Sequence, residues 1–269
     1  MTTADQAVSS ATNFGAAFLI ARAANPSGFG SFSLVFAANV LVVAAIRGFS
    51  IESLLSTHRT SQGSLYELTG YAIRAAGKAS LIIAPLIALL AVSAAPPSPR
   101  PYLLIWSVAL PGLVLMEVLR FATFAEGQAG RALVADLVWM GAVLASFSFP
   151  ATRSEELAVF ALWAMGASMS VAYMFLNKDR RESVKTARGS VNPRVALAYL
   201  SEALMERASS FGVILVLGVI AGLETAGALN GARTLFGPAT VVFLAWYAYS
   251  ITTTSTTVVE IRRDLSTAS

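Results

Sequence analysis

Eight runs of apolar residues, each about as long as a bilayer core is thick, dominate this chain of 269 residues. Crossing a hydrocarbon core of about 30 Å takes roughly 20 helical residues. No water reaches the backbone there, so a run of this kind folds as a helix, which bonds its own polar groups. The runs fall at about 7–24, 30–47, 70–94, 102–124, 130–149, 155–176, 201–222 and 227–251. Composition agrees, with 56% hydrophobic residues, 13% charged residues and a mean hydropathy of +0.67. Soluble domains carry roughly 25% charged residues. The expected fold class is an all-α integral membrane protein. Pro and Gly punctuate the joints, as in Asn25-Pro26-Ser27-Gly28, Pro96-Pro97-Ser98-Pro99 and Phe149-Pro150. Residues 48–69 form a longer connector, expected to carry helix past the membrane at both ends.

Part of the sequence returns after 197 residues. Residues 11–30 (ATNFGAAFLIARAANPSGFG) align without a gap on residues 208–227 (ASSFGVILVLGVIAGLETAG). Ala11 falls on Ala208, Phe14-Gly15 on Phe211-Gly212, Ala24 on Ala221 and Gly30 on Gly227. Each copy is a helix of small and apolar residues, a short loop ending in Gly, and a second apolar helix. A repeat of this period duplicates a whole lobe. The expected organisation is a six-helix first lobe over 1–177, a basic linker over 178–194, and the first two helices of a second lobe over 195–269. On that reading the chain is the front part of a transporter of twelve or more helices. Two unrelated helices of similar composition are the simpler alternative.

Charge sets the orientation. With the N-terminus in the cytoplasm, 15 of the 19 Lys and Arg residues fall on the cytoplasmic side and 4 on the other, Arg22, Arg100, Arg153 and Arg233. This is the positive-inside bias, and it puts both termini in the cytoplasm of an inner-membrane, multi-pass protein. Met1–Ser10 is polar, with Asp5 where a cleavable signal has a basic region, so the first span is expected to serve as an uncleaved anchor. The stretch 177–194 carries six of the cations and reads as a linker, or as a segment drawn to anionic lipid. The net charge of +4 is confined to such loops and does not indicate nucleic-acid binding. With no Cys there is neither a disulfide framework nor a thiolate metal site, and no metal or cofactor is expected.

Ionisable groups at membrane depth are costly and face a cavity or a partner. Glu117 and Arg120 lie three residues apart in the fourth span and share a helix face. Asp136 lies about two turns into the fifth. The three are expected to meet in the inner half, as a polar wall or gate of a cavity, or else as a structural ion pair. Arg22, Arg47 and Arg233 are the candidate anion-binding residues, since guanidinium keeps its charge and grips phosphate with two parallel bonds. Interfacial anchoring is their other reading. Asn13 is a candidate cavity residue, and Asn13 and Asn39 also suit hydrogen bonding between helices. Pro111 and the Gly237-Pro238 pair are expected to bend their helices and are the candidate hinges. Tyr102, Trp106, Trp246 and Tyr249 are expected in the interfacial belts. The single histidine, His58, falls in a connector.

No nucleotide-binding loop, zinc-protease helix or nucleophile elbow occurs, so the chain is not expected to be an enzyme. The opening DQAVSSATNFGAAFLIARAANPSGFGSFSLVFA resembles the first two helices of bacterial polysaccharide exporters, in the multidrug/oligosaccharidyl-lipid/polysaccharide flippase superfamily. Residues 226–238 (AGALNGARTLFGP) are similar to the start of the matching pair in the second lobe. The resemblance is clearest over 5–45 and 200–240. It implies two pseudo-symmetric lobes around a cleft, alternating access, and a lipid-linked saccharide as cargo. It also implies work alongside a polysaccharide polymerase or glycosyltransferases. In related flippases cleft arginines hold the pyrophosphate, which implies that role for Arg22 and Arg233. Two other readings stand beside it: a cation-coupled small-molecule exporter, and a non-transporting membrane scaffold.

Overall fold

The computed structural model describes residues 2–58, 65–148, 155–176, 184 and 192–236, and every regular element among them is helical. Helix α1 (Thr2–Ala23) runs the length of the bundle and turns at Asn25 into α2 (Pro26–Arg47). A π-helical stretch (Gly48–Glu52) carries α2 on into the short α3 (Ser53–His58). Then come α4 (Leu65–Ser93), α5 (Arg100–Ala125), α6 (Ala129–Ala145) and α7 (Glu155–Phe175). Helix α8 (Pro193–Arg207) passes through a second π-helical stretch (Ala208–Gly212) into α9 (Val213–Ile220). Helix α10 covers 223–236 of the described residues.

The helix starts follow from local chemistry. Asn25 and Asn192 each precede a Pro and each cap a helix. Asn25 Oδ1 accepts from Gly28 N at 2.7 Å, and Asn192 Oδ1 accepts from Arg194 N at 3.0 Å. The Asn satisfies a free N–H, and the Pro takes the position where an N–H has no partner anyway.

Six helices among the described residues are long and apolar enough to cross a membrane: 26–56, 65–93, 100–125, 129–148, 155–175 and 193–220. Eight were expected. Helix α1 is 22 residues long but is not among the six, because Asp5, Gln6, Ser9, Ser10, Thr12 and Asn13 make its first half polar. It is held by its neighbours instead, packing on α6 and α7 with Asp5, Ser9 and Thr12 buried. Of the expected span 227–251, only the part up to residue 236 lies within the described residues.

Helix α5 is the centre of the bundle. It packs on α4, α7 and α2, and buries Tyr102, Trp106, Leu110, Leu113, Val114, Met116 and Leu119. Gly112 lets α7 approach, since a β-carbon there would lie 3.1 Å from the Cα of Ser168. Helix α4 is the outer face. Leu81, Ile82, Leu86, Leu89, Leu90 and Val92 are all exposed on it, the surface that hydrocarbon covers in a bilayer. Tyr102 and Trp106, expected at an interface, are instead core residues at 1% and 4% exposure. Trp106 Nε1 donates to Asn39 Oδ1 at 2.8 Å, so its polar edge is satisfied inside the bundle and needs no water.

Consecutive helices run antiparallel, which gives the bundle two ends. The start of α1, the end of α2, the 126–128 turn and the start of α8 share the first end. The 24–25 turn, the 94–99 turn and residues 221–222 share the second. At the second end α2 touches α10 closely. A β-carbon on Gly30 would overlap the Leu223 carbonyl oxygen, and one on Gly227 would lie 3.0 Å from Gly30 N. Just below, Asn230 Nδ2 donates to Ser33 Oγ at 3.1 Å.

Candidate functional site

Toward the first end the same helices part, and two adjoining cavities open between them. The first, of about 390 Å³, is walled by Ser9, Asn39, Arg47, Glu117, Arg120 and Glu206, among others. The second, of about 550 Å³, is walled by Ala7, Phe14, Phe211, Asn230, Arg233 and Thr234, among others. Ser10, Asn13, Phe36, Val40 and Arg207 line both.

A buried charge network backs the first cavity. Arg120 Nη2 lies 2.8 Å from Glu117 Oε2, one turn back on α5. Its Nη1 donates to Ser9 Oγ on α1 at 2.8 Å and lies 3.5 Å from Asp136 Oδ2 on α6. Arg47 on α2 pairs with Glu117 at 3.1 Å and with Glu52 at 2.8 Å, and its guanidinium sits 4.8 Å from the Phe121 ring centre. Five elements, α1, α2, the first π-helical stretch, α5 and α6, are thus tied through two guanidinium groups. The expected meeting of Glu117, Arg120 and Asp136 is present. Asp5 belongs beside them and was not expected there: its carboxyl is buried against that of Asp136. Arg47 joins this network as an ion-pair partner.

The second cavity differs in charge. Its lining holds Arg207 and Arg233 and no acidic residue. Arg233 Nη1 donates to the Ser210 carbonyl, and its guanidinium lies 4.1 Å over the Phe211 ring. The ring face attracts the cation and fixes its plane. Arg207 ends α8 and pairs at 3.3 Å with the exposed Glu206. In the sequence Arg207 reads only as an orientation charge. It stands where α8 runs on, without a break, into the π-helical stretch, and from there it lines the cavity.

Asn13 stands where the two cavities meet, and its Oδ1 accepts from Trp163 Nε1 at 3.0 Å, linking α1 to α7. Trp139 Nε1 in turn donates to the Trp163 carbonyl at 2.6 Å. Rings of Phe32, Phe36, Phe160, Trp163 and Phe211 stack or tilt against one another and give the site a rigid apolar floor. Arg22 is not brought to the site: it is exposed near the second end of α1 and lines neither cavity. Helical phase explains this, because Asn13 and Ala17 face the cavity and Arg22 follows on another side of the same helix. Pro111 sits inside α5, which continues through it; Pro85 does the same in α4. Gly237 and Pro238 lie outside the described residues, as does most of the basic linker. Among the described residues no group of acidic or histidine side chains is placed to hold a metal ion. Comparison with protein-family models, with curated proteins and with solved structures finds no match for the chain.

Proposed function

We propose that this protein is a membrane transporter that moves an anionic, lipid-linked saccharide across the inner membrane by alternating access, with the N-terminus in the cytoplasm. One observation carries the reading: a cavity among apolar helices that contains two arginines and no carboxylate. Arg207 pairs with Glu206, but among the described residues no acid pairs with Arg233, and a cation kept in a membrane bundle without an acid beside it is costly. An anionic cargo removes that cost when it binds. Guanidinium donors suit phosphate, Asn13, Asn230 and Thr234 suit sugar hydroxyls, and the aromatic floor suits an apolar tail. The close packing of α2 on α10 at one end, with cavities toward the other, is the arrangement a one-side-open transporter requires. Loops rich in Lys and Arg at the cavity end support the cytoplasmic placement.

The test is flipping of a fluorescent lipid-linked saccharide in proteoliposomes. Arg233→Ala is expected to lower apparent cargo affinity by about one to two decades, the loss of roughly 1.5–3 kcal/mol for a charge-assisted hydrogen bond. Arg233→Lys keeps the charge but loses the fork and should recover only part. Arg22→Ala, outside both cavities, should flip at the original rate. Equal flipping by Arg233→Ala at equal protein level removes the arginine cavity from the reading.

A further inference from the structure

We infer that Asp5 and Asp136 together form a binding site for one exchangeable proton, set behind the wall of the first cavity. Asp136 is 0% exposed and Asp5 is 1% exposed. None of their four carboxyl oxygens accepts a hydrogen bond from a described protein group, and the one cation beside them, Arg120, stands 3.5 Å from Asp136 Oδ2 as an ion-pair partner. The two carboxyls nonetheless lie against each other, Asp5 from the first turn of α1 and Asp136 from the second turn of α6. Two carboxylates are acceptors only, so they can bond to each other only when one oxygen carries a proton. The charge balance points the same way. Among the described residues Asp5, Glu52, Glu117, Asp136 and Glu206 are five acids on a network with three bases, Arg47, Arg120 and Arg207, and Arg207 pairs with Glu206 away from the two aspartates. Arg47 is committed to Glu52 and Glu117 on its far side. Arg120 alone faces the pair, and it also holds Glu117 and Ser9. Helix α7, also packed on α1 and α6, offers neutral groups there, such as Ser170, whose hydroxyl donates to the Ala135 carbonyl at 2.6 Å.

Arg120 links the site to the cavity. Arg120 lines the cavity and touches both Ser9 and Asp136. When the shared proton leaves to water, two full negative charges face one guanidinium. Arg120 is then drawn toward the pair and away from Ser9, and the wall of the cavity between α1 and α5 changes. When the proton returns, the pair is satisfied internally and Arg120 rests on Glu117 and Ser9.

Carbodiimide labelling tests this, since dicyclohexylcarbodiimide couples to protonated carboxyls in apolar surroundings. The full chain in detergent is labelled from about pH 5 to about pH 9, a range in which ordinary aspartates are ionised. Mass spectrometry should find the adduct on Asp5 or Asp136, with yield falling as pH rises. In Asp136→Asn the amide N–H replaces the shared proton as donor, so Asp5 is held ionised and its labelling should drop about tenfold or more. Asp5→Asn should do the same to Asp136. The expected reciprocity separates a shared proton from two independent carboxyls. In the unaltered chain, a protonated-carboxyl infrared band that disappears in step with the labelling is a second readout, independent of whether a variant folds. Failure to label either residue at any pH overturns the proposal, and so does unchanged Asp5 labelling in Asp136→Asn. Protection by Na⁺ at fixed pH, absent with choline, would hand the site to a metal cation and also overturn it. None of these outcomes depends on transport, so the transporter reading stands or falls by its own experiment.

Discussion

At the scale of single residues, burial separates charges that the sequence presents alike. Arg22 and Arg120 each lie in an apolar helix, but one is exposed and the other is 8% exposed between three acids. Removing one partner of a buried ion pair leaves an uncompensated charge and costs about 3–5 kcal/mol. Arg120→Ala is therefore expected to destabilise the detergent-solubilised protein by about that amount, whereas Arg22→Ala should stay within about 0.5 kcal/mol. Thermal or denaturant unfolding compares the two; equal effects would mean that the network around Arg120 contributes nothing. The sequence made part of this network legible. The three-residue spacing of Glu117 and Arg120 puts them on one face, and the short α5–α6 turn brings Asp136 to the same depth. Asp5 was not legible, because its position before the apolar run reads as a solvated N-terminus. Only the packing of α1 on α6 buries it. Arg207 was hidden for the converse reason: loop-side cations are read as topology, and this one sits where α8 widens into the π-helical stretch and lines both cavities.

At the scale of helices, glycines show where packing is tight and where it is loose. A β-carbon on Gly166 of α7 would lie 2.7 Å from Trp139 Cδ1 and 2.8 Å from Ala142 Cβ, both on α6. On Gly141 of α6 it would meet nothing within 4 Å. Gly166→Ala should overpack the α6–α7 seam and cost about 1–3 kcal/mol. Gly141→Ala should instead gain about 0.5–1 kcal/mol, since Ala loses less backbone freedom than Gly in a helix. Opposite signs in the melting temperatures of these two variants are the expected result; a shared sign would contradict the seam. Element existence and order follow closely from the apolar runs and the Asn-Pro and Gly joints. The π-helical stretches at Gly48–Glu52 and Ala208–Gly212 do not, because a one-residue widening leaves the apolar pattern nearly unchanged. Nor does the depth of Trp106 follow. A Trp near a helix end is enriched at membrane interfaces, and only the opposing Asn39 gives it a buried partner.

At the scale of the whole molecule, the repeat and the packing meet at one place. Ser33 and Asn230 are 197 residues apart, the same offset that relates residues 11–30 to 208–227, and they hydrogen-bond to each other. Gly30 and Gly227 share that offset and are also in close approach. Contact between equivalent positions is what a local two-fold axis between α2 and α10 produces, since residues on such an axis meet their own counterparts. If the chain alternates its access, this seam is the part that must open, and the glycines are what allow it to shut. A covalent lock can test that. The chain has no Cys, so Ser33→Cys with Asn230→Cys introduces the only two thiols. Their side chains already meet at 3.1 Å. A direct disulfide needs Cβ atoms about 3.5–4.5 Å apart, and an asparagine side chain reaches further than that, so a short, reducible bis-methanethiosulfonate reagent should cross-link the two thiols in the membrane. The cross-linked protein should still bind cargo from the cavity end but no longer flip it, and reductant should restore flipping. A cross-linked protein that flips at the reduced rate would show that this seam stays shut throughout the cycle, and the opening would then have to lie elsewhere in the bundle.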